Sequence, residues 1–441
     1  MTVDEFARRW RAREFSAVEV LDDCLRRVDE NNPRLNAFIL VMADKARRQA
    51  LAADRELAAG HDRGALHGVP ISVKDLFDVK GTPTTAASRV RDGHIASEDA
   101  EVIARLRRGG AVFVGKTNLH EFAFGTTNED SAFGPSRHPL DPSRSPGGSS
   151  GGSAVSVATG MALATLGTDT GGSIRIPAAI CGTVGLKPSV GEIPSEGVVP
   201  LSRTMDHVGP LTQTVTDAWH VFHVLRGGAW SRPLTAPSVS QLRLAIPRPY
   251  FCDLLDAGVR RAFDASIAAL REAGATLEEV TIPHAALIAP IYLHLVFGDA
   301  APYHALALET MPERYTPPVR LRLEMARYVL AEDYVRALQG RDTLRREVDH
   351  ALSGHDALLL PTVPIPAPTL GASGVDIDGR NEPVRNVMLR LTQLFNITGH
   401  PAVSLPCGLT GGGWPCGLQL VGTLQQTDSL LRVARAVESV I

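Results

Sequence analysis

The sequence predicts an α/β protein, a single unit of buried strands covered by helices with a helical insertion in its second half. Three observations carry the prediction. Short apolar runs at residues 69–77, 111–114, 162–166, 357–360 and 402–405 read as strands buried on both faces. Between them lie segments whose apolar residues recur every three or four positions, the spacing of a helix face. Glycines are dense before residue 200 and thin out through residues 231–353, where helical periodicity dominates.

In chain order, Ser16 and Glu19 form a capping box, and Val18, Leu21, Leu25 and Val28 continue a helix that Asn31, Asn32 and Pro33 are expected to stop. A second helix is expected over residues 43–59, ended by Gly60. Val69, Ile71, Val73, Leu76 and Phe77 form a strand that carries Lys74 in its middle. A helix at 101–108 and a strand at 111–114 make an αβ unit. The polar, proline-punctuated stretch 136–146 is a loop, and it runs into Gly147-Gly148-Ser149-Ser150-Gly151-Gly152-Ser153 and an Ala/Val-rich helix. The strand at 162–166 then feeds Gly167-Thr168-Asp169-Thr170-Gly171-Gly172-Ser173. Residues 257–273, 284–296 and 321–352 read as helices. The 441 residues are read as one domain, with a catalytic core over about 68–210 and a variable, pocket-forming helical region from near Ser231 to Ser353.

Composition excludes several classes. Apolar residues make up 44%, charged residues 21%, and the net charge of −3 gives no electrostatic reason for a nucleic-acid or anionic-membrane partner. Cys24, Cys181, Cys252, Cys407 and Cys416 are scattered without CxxC or Cys/His spacing, so buried free thiols are expected rather than disulfides or zinc. The opening MTVDEFARRW is charged where a signal peptide would be apolar, and no uncharged apolar run reaches the roughly 18 residues of a membrane span. The cytoplasm is the expected compartment.

The chemistry lies in two glycine-flanked serine loops and one lysine set in an apolar strand. A glycine-rich turn lets backbone amides point at one spot without Cβ interference, as an oxyanion hole requires. The amides of Thr170, Gly171, Gly172 and Ser173 stand where such a turn leaves a strand and enters a helix, whose positive end would assist. A serine hydroxyl needs a base. None of the 14 histidines lies in either loop. Lys74 can serve if burial disfavours its charged form, since desolvation lowers a lysine pKa by up to ~3–5 units.

GVPISVKD, PGGSSGGSAVSVATG, GTDTGGSIRIPAA and GLKPS together resemble the signature blocks of the amidase signature family, and the resemblance extends to GHPAVSLPCG and GLQLVG near the end. It implies a central twisted mixed β-sheet with helices on both faces, and a Ser–cis-Ser–Lys triad of Ser173, Ser149 and Lys74, with the peptide bond before Ser149 cis. The implied reaction is hydrolysis of small amides through an acyl-enzyme, with carbamates, ureas and esters within the family's range and no cofactor or metal. The implied partners are the amide and water; a homodimer is compatible with the sequence.

Other readings account for less. Lys74 alone reads as a snorkelling lysine paired with Asp75; the two serine loops reverse that. Asp169 and Arg175 are expected to pair and hold the turn, Ser150 to bond backbone at a helix start, Lys187 to anchor a loop, and His120 to pack or line a pocket rim. Residues 147–151 match G-x-S-x-G, but HPLDPSRSP before them is no central strand, so a nucleophile elbow is rejected. A phosphate-binding protein lacks its P-loop lysine here. The family also includes the glutamine-hydrolysing component, or A chain, of the tRNA-dependent glutamine amidotransferase. The acidic residue expected of that component falls on Leu389, and its arginine near Arg341 or Asp342, which favours a free-standing amidase. Phe124, Leu293, Phe297, Tyr303 and Tyr315 are assigned to the substrate pocket for their apolarity.

Overall fold

Six strands of the central sheet are buried at every position and can only be covered on both faces. The computed structural model describes residues 1–228 and 233–441. Its strands are β1 (Phe38–Val41), β2 (Pro70–Lys74), β3 (Val112–Thr117), β4 (Ala164–Asp169), β5 (Val184–Lys187), β6 (His207–Thr212), β7 (Arg243–Pro247), β8 (Thr276–Val280), β9 (Ala357–Pro361), β10 (Gly374–Ile377), β11 (Arg380–Pro383), β12 (Ala402–Leu409) and β13 (Pro415–Val421). All but β10 and β11, which form a separate hairpin, join an 11-stranded sheet in the order β1-β3-β2-β4-β6-β5-β12-β13-β9-β7-β8. The sheet is mixed: β2 runs parallel to β3 and β4, β7 is parallel to β8 and β9, and β6, β5, β12 and β13 pair antiparallel. The expected α/β class with a central mixed sheet is thus the observed one.

Side-chain period explains the position of each strand. PISVK, VFVGKT and ATLGTD are buried throughout. TLEEV of β8 is mostly exposed and closes one edge. The helix Gly151–Ala158 packs on β2, β3 and β4, and the helix Arg175–Cys181 packs on β5, β12 and β13. Parallel β2 and β4 are in register at Val73 and Leu166, so Lys74 and the end of β4 emerge side by side at the carboxyl ends of the strands. That is where open α/β sheets build their sites.

Several boundaries differ from expectation. The capping box at Ser16 and Glu19 is formed, but the helix runs through Pro33 to Leu35 and stops at Asn36, which takes the left-handed conformation (φ 50°). Proline in the last turn forfeits only one intrahelical bond, so the stop falls one turn later than its side chain implies. The expected helix at 321–352 is two, Pro317–Ala326 and Ala331–Leu352. The expected 284–296 helix extends over Ile288–Thr310. Ser231, set as the start of the helical region, lies outside the described residues.

Among the described residues, 285–310 is the one stretch long and apolar enough to cross a membrane by length and composition alone. Asp299 interrupts it and accepts hydrogen bonds from Ser202 (2.5 Å), Thr204 (2.7 Å) and Tyr334 (2.7 Å). The same helix packs on Pro317–Ala326 and Ala331–Leu352. All five cysteines are free, four of them buried. Among the described residues no group of three or more His, Cys, Asp or Glu side chains is placed to hold a metal ion.

Candidate active site

Lys74 ends β2, and its fully buried amine has two neighbours within hydrogen-bond distance, Ser149 Oγ and Thr168 Oγ1, both at 2.8 Å. Burial drives its pKa down to about 7, against the opposing pull of Asp169 and Asp206. The alternative partner Asp75 is engaged elsewhere, by Lys116 at 2.5 Å. Thr168 carries no signal of its own in the sequence; it belongs to β4 and meets Lys74 only through the register of two strands.

Ser149 stands just before the helix Gly151–Ala158, after a cis Gly148–Ser149 peptide bond. Ser150 occupies the N-cap position yet makes no side-chain cap bond. Its hydroxyl donates to the Thr168 carbonyl (3.2 Å), and its amide donates to the Ser173 carbonyl (3.2 Å). These two bonds pin the first serine loop against the second. Among the described residues no hydrogen bond joins the Ser149 and Ser173 hydroxyls, so backbone rather than side chain brings the two serines together.

The turn Thr170–Ser173 leaves β4 and enters the helix Arg175–Cys181. Gly172 has φ +140°, a conformation L side chains rarely adopt, and a Cβ there would collide with Thr392; a Cβ on Gly171 would collide with the Tyr292 hydroxyl. Among the described residues, the amides of Gly171, Gly172 and Ser173 donate to no protein acceptor. Ser173 itself is 6% exposed, whereas Lys74 and Ser149 are fully buried.

Beneath the turn lies a fully buried ion pair. Arg175 donates to both oxygens of Asp169 (3.0 and 2.9 Å), to Asn396 and Gln419 (both 2.6 Å) and to the Thr392 carbonyl (3.0 Å). Burial pushes the Asp169 carboxyl up, but Arg175, Lys187 and Asn396 outweigh it and hold it well below the ordinary range. Thr392 and Asn396 carry no signal in the sequence, and Gln419 lies in the GLQLVG block with no role assigned to it there; all three are more than 200 positions from the arginine they hold. We predict that Arg175→Met destabilises the fold by about 3–5 kcal/mol, because it leaves a buried carboxylate unpaired. Arg175→Lys should restore little, lacking the two-pronged geometry. Urea midpoints would test this, and unchanged midpoints would sink the structural role.

Asp206 is the second buried carboxyl that sequence reasoning misses. It accepts from Thr170 Oγ1 (2.5 Å) and from the amides of Leu201 (2.9 Å) and Ser202 (3.1 Å), and burial raises its pKa to about 6. His120 is buried and faces Asp130 at 3.0 Å, and Lys187 donates to the carbonyls of Pro188 (3.1 Å) and His400 (2.5 Å). Of the five pocket assignments, Phe124 meets Phe297 edge to face, and Leu293 lines a cavity with Tyr292 and Leu389. Tyr303 and Tyr315 instead gather around His304 and Phe122.

Comparison with known proteins agrees with this architecture. The family described as Amidase matches residues 19–431. An amidase of Pseudomonas putida is 41% identical over 455 residues, covering 99% of this chain and 95% of that protein. The A chain of the glutamyl-tRNA(Gln) amidotransferase of Anaeromyxobacter sp. (strain K) is 40% identical, covering 97% and 93%. A crystal structure of an amidase superposes with a TM-score of 0.94 at 40% identity, covering 100% of this chain and 99% of that one. The chain belongs to the amidase family, the amidase signature enzymes, which are hydrolases of the carbon–nitrogen bond in linear amides.

Proposed function

We propose that the protein is a free-standing amidase that hydrolyses small amides through an acyl-enzyme on Ser173, with Ser149 and Lys74 as its proton relay. The observation that carries this reading is the Lys74 amine, sealed in an apolar strand and 2.8 Å from the Ser149 hydroxyl. A lysine whose pKa lies near 7 is about half uncharged at neutral pH, where an ordinary lysine is almost wholly charged, and the lone pair of the neutral form can accept the serine proton.

In the first step Ser173 Oγ attacks the acyl carbon, its proton passes to Ser149, and the Ser149 proton passes to Lys74. The amides of Thr170, Gly171, Gly172 and Ser173 stabilise the oxyanion, each donor of this kind being worth about 2.7–4 kcal/mol. Lys74, through Ser149, then protonates the departing nitrogen, because an amine anion is too basic to leave. Water enters by the same relay in reverse and releases the carboxylic acid. The Ser149 and Ser173 hydroxyls draw together as substrate binds, since catalytic hydrogen bonds often close only in the substrate complex.

A second reading, the glutamine-hydrolysing component of an amidotransferase, is favoured by 40% identity to such a chain over nearly the whole length. Against it stands Leu389, whose side chain comes within 3.0 Å of a Cβ built on Gly171. An apolar group there offers nothing to a substrate ammonium. The deciding experiment is intact-mass spectrometry after exposure to a fluorophosphonate, followed by glutamine and small-amide assays. The expected result is one adduct, on Ser173, with small amides cleaved and glutamine untouched. An adduct elsewhere would remove Ser173 from the mechanism, and glutaminase activity with a co-purifying partner would establish the amidotransferase role.

A further inference from the structure

Beside Gly171 lies a cavity of about 380 Å³, walled by Tyr250, Tyr292, Leu293 and Leu389 and reached by Arg385 from the helix Val384–Leu389. Tyr292 and Leu389 are the side chains that press on Gly171, so the cavity adjoins the turn that carries Ser173.

Arg385 is half-buried, and its Nε is shut off from solvent with no hydrogen-bond partner. No described carboxylate comes within ion-pair distance of it. Its neighbours are differently placed. Arg390 lies over the Tyr250 ring at 3.8 Å and donates to the Tyr250 carbonyl at 3.0 Å. Arg322 donates to the Phe124 carbonyl at 2.8 Å and faces Asp130 at 3.8 Å. Arg175 is saturated by Asp169, Asn396 and Gln419. Glu382 lines the same cavity without pairing with Arg385. A guanidinium held in this way is costly until an anion joins it, and its planar fork suits a carboxylate. Burial lowers its pKa, and the Tyr292 hydroxyl is the one group that opposes this shift.

We propose that Arg385 forms a carboxylate-binding subsite of this amidase, so that its preferred amides bear an acidic group that seats beside Tyr292 and Leu389. The placement of that subsite next to the scissile bond rests on Ser173 being the nucleophile.

The test compares binding of succinamate, butyramide and 4-aminobutyramide, which are of similar length and differ in charge, to full-length Ser173→Ala protein by calorimetry. Succinamate is expected to bind about tenfold or more tightly than butyramide, with 4-aminobutyramide weakest. Adding Arg385→Gln should erase the difference and Arg385→Lys should keep part of it, with thermal melting of each variant checking its fold. If Arg385→Gln does not fold, competition by 0.5 M chloride against succinamate but not butyramide in the unsubstituted pocket reads the same charge pairing. Equal affinities for succinamate and butyramide, or a preference for the ammonium, would overturn the proposal. Because binding needs no turnover, failure of the Ser173 reading shows separately, as absent fluorophosphonate labelling in the wild-type protein.

Discussion

Ser173→Ala is expected to lower the rate of amide hydrolysis by about 10⁴-fold or more while leaving the fold and its melting temperature nearly unchanged. The magnitude follows from the role, since removing an activated nucleophile leaves only binding and oxyanion stabilisation, and nucleophile deletions in serine hydrolases cost up to about 10⁶. The small structural effect follows from the site. Ser173 contributes its carbonyl to the Ser150 amide, and alanine retains that bond. No described hydrogen bond depends on its hydroxyl. Single-turnover rates on a p-nitroanilide, with circular dichroism for the fold, would measure both halves. A variant that kept a tenth of wild-type turnover would exclude Ser173 as nucleophile.

The parts of the site that are legible in the sequence are those encoded locally. Lys74 stands out because a charge inside PISVK is incompatible with a strand buried on both faces unless it has a purpose. The serine loops stand out because glycine clusters at a strand–helix junction mark backbone that side chains would block. What stays hidden depends on contacts across the fold. Thr168 touches Lys74 through strand register, Asp206 reaches Thr170 across a loop, and Thr392, Asn396 and Gln419 arrive from the far end of the chain. Arg385 lies in a segment with no motif. Among the strands, β8 gives no apolar pattern because TLEEV faces solvent at the sheet edge. The β10–β11 hairpin does carry a sign, Asp378-Gly379 with both residues at positive φ, the Asp-Gly turn that closes two-residue hairpins. The break between Ala326 and Ala331 contains neither glycine nor proline, so only the packing of the two helices reveals it.

Lys74→Met is expected to separate function from stability. Amide hydrolysis should fall about 10²–10⁴-fold, the usual worth of a positioned general acid–base, and an activated ester should suffer less because its leaving group needs no proton. Stability should hold or rise, since methionine fills a similar volume without a buried amine, at the expense of the hydrogen bonds to Ser149 and Thr168. The pH dependence supplies the sign. The acting form is the neutral amine, so kcat/KM for an amide should climb with pH through about 7 and level off above it. For folding, the native lysine at about 7 binds fewer protons than the unfolded one, near 10.4, so its contribution to stability rises with pH across that window and is flat below it. Lys74→Met should lose this slope along with the pH-dependent rate. An amide profile flat between pH 5.5 and 8, or equal losses for amide and ester, would show that the amine is not the base. A charged lysine tolerated at that depth would then have to be held by Asp169 and Asp206, the two carboxyls whose field already reaches it.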